Sequence, residues 1–410
     1  MKHKTLLLQA LIVSLLLPLS ATAQKPTINW YGFVAAQSFT DTHKSASAAD
    51  GFLYLYPIDR KLDVNDNDQN SIVSGSEFGT MARIGFVLTG PEIFGAASRA
   101  KAEIECSGHD QASNHVLYRH AFMALDWNDG SSLLLGQTWH PMNDLFPSTV
   151  SIAIGSPFNA LNRSPQLRGS GFLDAGKKLN LTIACIFQAL NTSVGPDPED
   201  PTENTTIKSN KFQRNSTQPN IYLGLDWNLG DLKLGAGAEY QRIVPFVDTD
   251  DNNEKYYLNS FSGMLQAQYA KDKLSVKGKV LLGQNMSHLG ICSGYGLTTD
   301  ADRKYSNLTA LSSWAQVQYG TDLKWGLFGG YMKNLGAADD LAKIYAVGGG
   351  KIDSMWRVAP NVQYTVGNLN LGLEFELTSV AYGTIESKGT VTDTHDVFNF
   401  RTLLSAMYSF

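Results

Sequence analysis

The stretch VFNFRTLLSAMYSF, Val397 to Phe410, decides the fold. Drawn as an extended strand, it places Phe398, Phe400, Thr402, Leu404, Ala406, Tyr408 and Phe410 on one face. Asn399, Arg401, Leu403, Ser405 and Met407 fall on the other. One face suits hydrocarbon and the other tolerates water. NLNLGLEFEL repeats the pattern, with Leu369, Leu371, Leu373, Phe375 and Leu377 opposite Asn370, Gly372, Glu374 and Glu376. KLSVKGKVLL repeats it again, setting Leu274, Val276, Val280 and Leu282 against Lys273, Ser275, Lys277 and Lys279. After the first two dozen residues no segment sustains a helical period.

Alternation alone also fits a soluble sandwich, and three features separate the two. Connections alternate between tight turns (DWNDGS, DWNLGD, AKDK, GTD, VGN) and polar loops of roughly 12 to 35 residues, the asymmetry of a transmembrane barrel. Trp127, Trp227, Tyr269, Tyr319, Trp325 and Tyr364 stand beside the short turns, where aromatic rings meet lipid headgroups. The polar face is rich in Arg, Lys, Glu, Gln and Ser, which a dry core could not hold without partners. Sixteen candidate strands lie between residues 27 and 410, among them 178–190, 368–380 and 397–410. The expectation is an all-β, antiparallel transmembrane barrel of 16 strands with long extracellular loops, wide enough for an aqueous channel.

Composition agrees. Of 410 residues only 17% are charged, against about 25% in ordinary soluble domains. A net charge of -5 argues against a nucleic-acid partner, which would call for a basic patch. Lys2, His3 and Lys4 precede the apolar run TLLLQALIVSLLLPLS, and Ala21-Thr22-Ala23 follows it. That order is a secretory signal over residues 1–23, cleaved after Ala23, with the barrel domain over 24–410. The 3 cysteines make no disulfide framework.

The segment LLLGQTWHPMNDLFPSTVSIAIGSPFNALNRSPQLR, Leu133 to Arg168, resembles DcaP-like trimeric outer-membrane porins, including Bacteroidota-type members. In these a strand ending in GQTW leads through a long inward loop to a return strand. ARIGFVLTGPEIFGAASRAKAEIE, Ala82 to Glu105, resembles the matching hairpin, and the terminal Phe410 after Tyr408 resembles the assembly signal of such barrels. The resemblance implies a Gram-negative outer membrane, a homotrimer, and passage of small anionic or dicarboxylate-like solutes. Some members begin with a coiled coil, whereas here only Gln24 to Pro26 precede the first strand.

Parity assigns the wall of the lumen. Its cations are Arg83, Arg99, Lys101, Arg119, Arg168, Lys277, Lys279, Arg357 and Arg401; its anions are Glu103, Glu105, Glu239, Glu374 and Glu376. A basic wall in a low-dielectric channel concentrates anions. Residues 139–163 form the expected constriction loop, because Leu145, Phe146, Ile152, Ile154 and Phe158 suit a loop packed on the inner wall, with Asp144, Asn159, Asn162 and Arg163 toward the pore. The early cations would form one side of the constriction, with Asp144 and the lumen glutamates as the opposing or tempering charges. Small outward residues Ala96, Ser98, Ala100 and Ala102 offer a face for a second barrel.

Catalytic signals are weak, and the chain reads as neither enzyme nor cofactor protein. There is no G-x-S-x-G, H-E-x-x-H or phosphate loop. His140 beside Asp144 is at most half a triad, and DVNDNDQN, Asp63 to Asn70, lacks the Gly and terminal Glu of a calcium loop. The leading expectation is passive diffusion of small hydrophilic solutes biased toward anions; an outer-membrane barrel hydrolase and a closed structural or adhesion barrel are the competing readings.

Overall fold

The computed structural model describes residues 25–48, 51–109, 114–197, 205–249, 251–300 and 302–410. The expected signal segment 1–23 lies outside them. Among the described residues sixteen strands close into one antiparallel barrel. They are β1 (Thr27–Asp41), β2 (Ser74–Ile93), β3 (Ala96–His109), β4 (Asn114–Asp126), β5 (Ser132–Trp139), β6 (Arg163–Phe172), β7 (Leu179–Ile186) and β8 (Asn220–Asn228). There follow β9 (Leu232–Asp248), β10 (Glu254–Lys271), β11 (Leu274–Gln284), β12 (Thr309–Gly320), β13 (Leu323–Gly336), β14 (Ile352–Val366), β15 (Leu369–Ile385) and β16 (Val391–Ser409). Each strand pairs with its sequence neighbour, and β1 closes on β16 in the register Phe33 to Ser409 through Asp41 to Arg401. Closure leaves no unpaired edge, which a lipid environment requires.

The alternation read from the sequence is the one the wall uses. Phe398, Phe400, Leu404 and Tyr408 are exposed on the outer surface, while Asn399, Arg401 and Leu403 are buried inside. Trp227, Tyr319, Trp325 and Tyr364 are exposed near the short-turn rim, at girdle positions. Several strand ends differ from the sequence expectation, among them those of β7, β15 and β16. β7 stops at Ile186 rather than near 190: the Phe187 N–H still bonds to the carbonyl of Pro165, which stands opposite it on β6, but proline has no N–H to return the bond. β15 runs on to Ile385 and β16 begins at Val391, so this hairpin rises past the neighbouring strands at the long-loop rim.

The interior is not an open tube. Met142, Phe158, Met286, Leu289, Trp314, Phe328, Met332 and Met355 form a buried apolar cluster inside the barrel. They come from the inward loop, the loop after β11 and the inner faces of β12–β14. Burying each such side chain contributes about 1.5–3 kcal/mol. Above the cluster a small sheet, Gly294–Thr298 with Tyr305–Asn307 and Leu341–Ala346, covers the mouth. A hairpin of the first long loop, Ser45–Ala48 with Leu53–Pro57, fills the mouth beside β14–β16. These elements were invisible in the polar loop sequences, since their strands pair with other loop strands and not with the strands of the wall.

Candidate channel and its constriction

Pro141 ends β5 because it has no N–H for the ladder, and His140 caps the turn Pro141–Asn143 by accepting from the Met142 N–H at 3.1 Å. The chain then crosses to the far wall. Lys279 Nζ donates to the Met142 carbonyl at 2.7 Å, and Lys277 Nζ to that of Phe146 at 3.1 Å. Gln316 and Gln363 donate to the Ser148 carbonyl at 3.2 and 3.0 Å. Glu374 accepts from the N–H of Val150 at 2.8 Å and of Ser151 at 3.0 Å. Trp314 Nε1 donates to Asn159 Oδ1 at 3.0 Å, Ser312 Oγ to the Phe158 carbonyl at 2.9 Å and Arg357 Nη1 to the Ser156 carbonyl at 3.2 Å. A loop with few backbone partners of its own is thus fastened by side chains of the wall.

What the loop leaves open is a cavity of about 600 Å³ against β1–β6 and β16. Its lining extends from Leu53 at the long-loop end to Asn370 and Ser409 at the short-turn end, so it runs along the barrel. Arg83, Lys101, Arg119 and Arg163 face it from the wall, with Glu103 and Glu105 among them. Arg119 pairs with Glu103 at 2.6 Å and with Glu105 at 3.0 Å, Arg83 pairs with Glu105, and Lys101 stands 3.8 Å from Glu103. Tyr31 donates to Glu103 at 2.8 Å. Arg163 differs. It is 9% exposed, its guanidinium lies over Trp139 at 4.3 Å, and its Nε and Nη1 have no hydrogen-bond partner. Four cations against two carboxylates leave this wall positive.

The opposite side is the loop, which presents Thr149 and Ser151 together with Phe146, Val150, Ile152 and Ile154. No carboxylate of the loop faces the cations. Asp144 instead lies on the other side of the loop, 3.8 Å from Lys279 and accepting from Gln266 Nε2 at 3.2 Å. There it shares a separate recess of about 260 Å³ with Asp226, Lys178 and Lys233. The expected opposition of Asp144 to the early cations is therefore corrected for those that face the cavity, Arg83, Lys101 and Arg119: Lys279 on β11 holds it on the far side.

The other candidate residues separate into different places. Arg99 pairs with Asp126 at 2.5 Å near the short-turn rim, outside the cavity lining. Arg168 donates to the Trp139 carbonyl at 2.5 Å and to Gln166, behind the loop root. Arg357 and Arg401 are 2% and 1% exposed and both lie against Tyr54 from the first loop, their guanidinium carbons 4.6 and 5.1 Å from its ring centroid. Arg357 meets Glu376 at 3.3 Å, and Arg401 meets Asp41 at 3.6 Å while donating to the Gly51 carbonyl at 2.7 Å. Glu374 is the loop anchor described above. All of these stand at positions of inward parity, and parity does not say whether a loop covers them.

Sequence reasoning also missed contributors. Trp139, His120 and Gln363 line the cavity. A register shift between Glu103 and Ile104 opposite β4 lets Arg119 and His120 both turn inward, which strict alternation forbids. His140 does not approach Asp144; its Nε2 is 2.7 Å from Glu239, so the half-triad is not formed. In the acidic loop Asp63 accepts from the N–H groups of Asn65 and Asn67, and Asp68 from those of Lys61 and Asn70. Local backbone thus satisfies Asp63, while Asp68 also meets His43 Nε2 at 2.9 Å.

No protein-family model matches the chain, and no curated protein matches it. Among solved structures, the outer membrane channel DcaP of Acinetobacter baumannii is similar at a TM-score of 0.68 and 15% identity, over 96% of this chain and 100% of that one. OmpT of Vibrio cholerae, an outer membrane protein, matches at 0.54 and 12%, over 96% and 100%. Salmonella typhi OmpF in complex with daunomycin matches at 0.54 and 12%, over 93% and 97%. At these identities the likeness concerns the fold, which is the porin barrel.

Proposed function

We propose that the chain is an outer-membrane porin, a water-filled channel for passive diffusion of small hydrophilic solutes with a preference for anions. The observation that carries this reading is the lengthwise cavity with Arg83, Lys101, Arg119 and Arg163 on one wall and no loop carboxylate facing them. Charges at a narrow aqueous passage act before salt screens them, since the Debye length is about 8 Å at physiological ionic strength. Arg163, whose Nε and Nη1 have no hydrogen-bond partner, supplies positive potential that the two glutamates do not cancel. Apolar filling of the far half keeps the passage narrow, which favours small solutes.

The rest of the reading follows from it. Export by a signal over residues 1–23 brings the barrel domain of residues 24–410 to the outer membrane of a Gram-negative cell, with lipid around the apolar outer face. Ser98, Ala100 and Ala102 are half-buried on the outside of β3 and support a trimer seam there, although Ala96 is itself covered and drops out of it. Reversal potentials in a salt gradient, recorded on the folded barrel in a planar bilayer, test the channel. Anion preference that fades with added salt is the expected result; cation preference refutes the electrostatic reading, and absence of conductance refutes the porin. Native electrophoresis in mild detergent that shows only monomer refutes the trimer.

A further inference from the structure

Glu239 of β9 lies inside the barrel, away from the channel, and is 2% exposed. Two imidazoles reach it from different loops. His140, at the root of the inward loop, brings Nε2 to 2.7 Å from Oε2. His288, in the turn Met286–Leu289, brings its Nε2 to 2.8 Å from Oε1. Asn220 Nδ2 also donates to Oε1, at 2.6 Å.

The partners of the other ring nitrogens fix the proton positions. The Met142 N–H donates to His140 Nδ1 at 3.1 Å, and Gln241 Nε2 lies 3.2 Å from His288 Nδ1. A ring nitrogen that accepts carries no proton, so each neutral imidazole holds its proton on Nε2 and turns it toward the same carboxylate. The three donor groups also satisfy the spacing of a metal site. Coordination would need bare Nε2 atoms on both rings, with the proton moved to Nδ1, where Met142 and Gln241 already donate. The cluster is therefore a tie, hydrogen-bonded at His288 and Asn220 and held by close polar contact at His140. Its weaker half is His140, whose short contact is poorly aligned and leaves Nε2 and Oε2 without a hydrogen bond.

We propose that Glu239 is a positioning residue for the constriction, tying the root of the inward loop and the turn Met286–Leu289 to β9 through two neutral imidazoles, and that acid loosens this tie. A second proton can enter either ring only at Nδ1, against the N–H already pointing there, so the protonated ring must turn away from its cap. The titratable and charged groups that face the cluster from neighbouring strands are Arg168 of β6 and Tyr222 of β8, whose ring centroid is 6.2 Å from that of His140. Burial of the His140 ring opposes that proton first; the Glu239 carboxylate favours it, while His288 and the positive charge of Arg168 add to the opposition, so the release belongs to acid rather than neutral conditions.

The inference does not depend on which solute passes, or on whether one does. Hydrogen exchange over residues 141–162 of the folded barrel in detergent tests it, with the heat-dependent gel shift of closed barrels as the check on folding. Between about pH 7 and about pH 4, which brackets the ordinary histidine range, the wild-type loop should exchange roughly tenfold faster after correction for intrinsic rates. Glu239→Gln should exchange fast at both pH values. The double variant His140→Gln and His288→Gln keeps an N–H donor at each position without a titrating ring, and should stay slow at both. An acid step that persists in the double variant, a wild type without a step, or a Glu239→Gln variant as slow as wild type overturns the proposal. So does one tightly held zinc per chain whose removal by a chelator speeds the exchange. A barrel that passes no current but shows the predicted exchange would count against the channel reading alone.

Discussion

The ring of Phe158, near the end of the inward loop, occupies the space where a β-carbon on Gly330 would stand. Loop and wall meet there without a gap, with Trp314 and Phe328 completing the seat. Gly330→Ala should push the loop toward the channel at a cost of about 1–3 kcal/mol, and single-channel conductance should fall. Phe158→Ala should cost about 3–5 kcal/mol and produce a noisier rather than a smaller current, because the loop loses its seat without being displaced in one direction.

Selectivity should depend on the cations of the cavity and not on those beneath the loops. A unit charge about 6 Å from a passing ion in water is worth roughly 0.7 kcal/mol, about threefold in local concentration. Arg163→Ala should lower the anion-to-cation permeability ratio by about that factor, and more than Arg83→Ala, whose charge Glu105 already offsets. Arg168→Ala should leave the ratio nearly unchanged. Reversal potentials of the three variants make the comparison.

Arg401→Ala should behave differently again. Its charge is buried between Asp41 and Glu376, and removal of one partner from such a set costs about 3–5 kcal/mol. The expected result is a lower unfolding temperature of the barrel, with ion selectivity retained in the molecules that stay folded.

Glu374→Gln should loosen the middle of the constriction. One carboxylate holds two backbone N–H groups, and the amide that replaces it keeps a single acceptor oxygen. Faster hydrogen exchange at Val150 and Ser151, with little change near His140, is the expected pattern.

The first long loop should lose local order in acid. The N–H groups of Asn67 and Asn65 and the Asn67 side chain hold the exposed Asp63 carboxyl below its usual range. For Asp68 burial acts in the opposite sense, but the N–H groups of Asn70 and Lys61 and the His43 ring outweigh it, and the result is again a lowered value. A carboxylate depressed in the folded state contributes stability above its unfolded value of about 3.9 and loses it as pH falls through the folded value. Amide protection at Asn65, Asn67 and Asn70 should therefore decline below about pH 4, and Asp63→Asn should flatten the decline at the first two.

The wall of the barrel was legible because its two faces meet different solvents, and a two-residue period records that difference in residues such as Phe398 and Asn399. The inward loop was legible for a related reason: Phe146, Ile152 and Phe158 have no place in water. Whether an inward residue meets the channel was not legible. Arg119 and Arg357 have the same chemistry and parity, yet one lines the cavity and the other lies under Tyr54. That distinction rests on contacts between distant loops. Strict alternation likewise gave no sign that Arg119 and His120 both turn inward, and the partnership of His140 with Glu239 joins residues 99 positions apart in the chain.

The apolar filling of one half of the barrel has a consequence for the chain before it reaches its membrane. Over β12–β14, Trp314, Phe328, Met332 and Met355 point inward while Val317, Leu327 and Val358 point outward, so this part of the sequence has no fully polar side. Elsewhere an unfolded barrel strand can turn a hydrophilic edge to water during transit. Here both edges are sticky, and the risk of self-association is greatest in this region. Such a stretch calls for an escort that shields it until closure hides one face in lipid and the other beneath the loops.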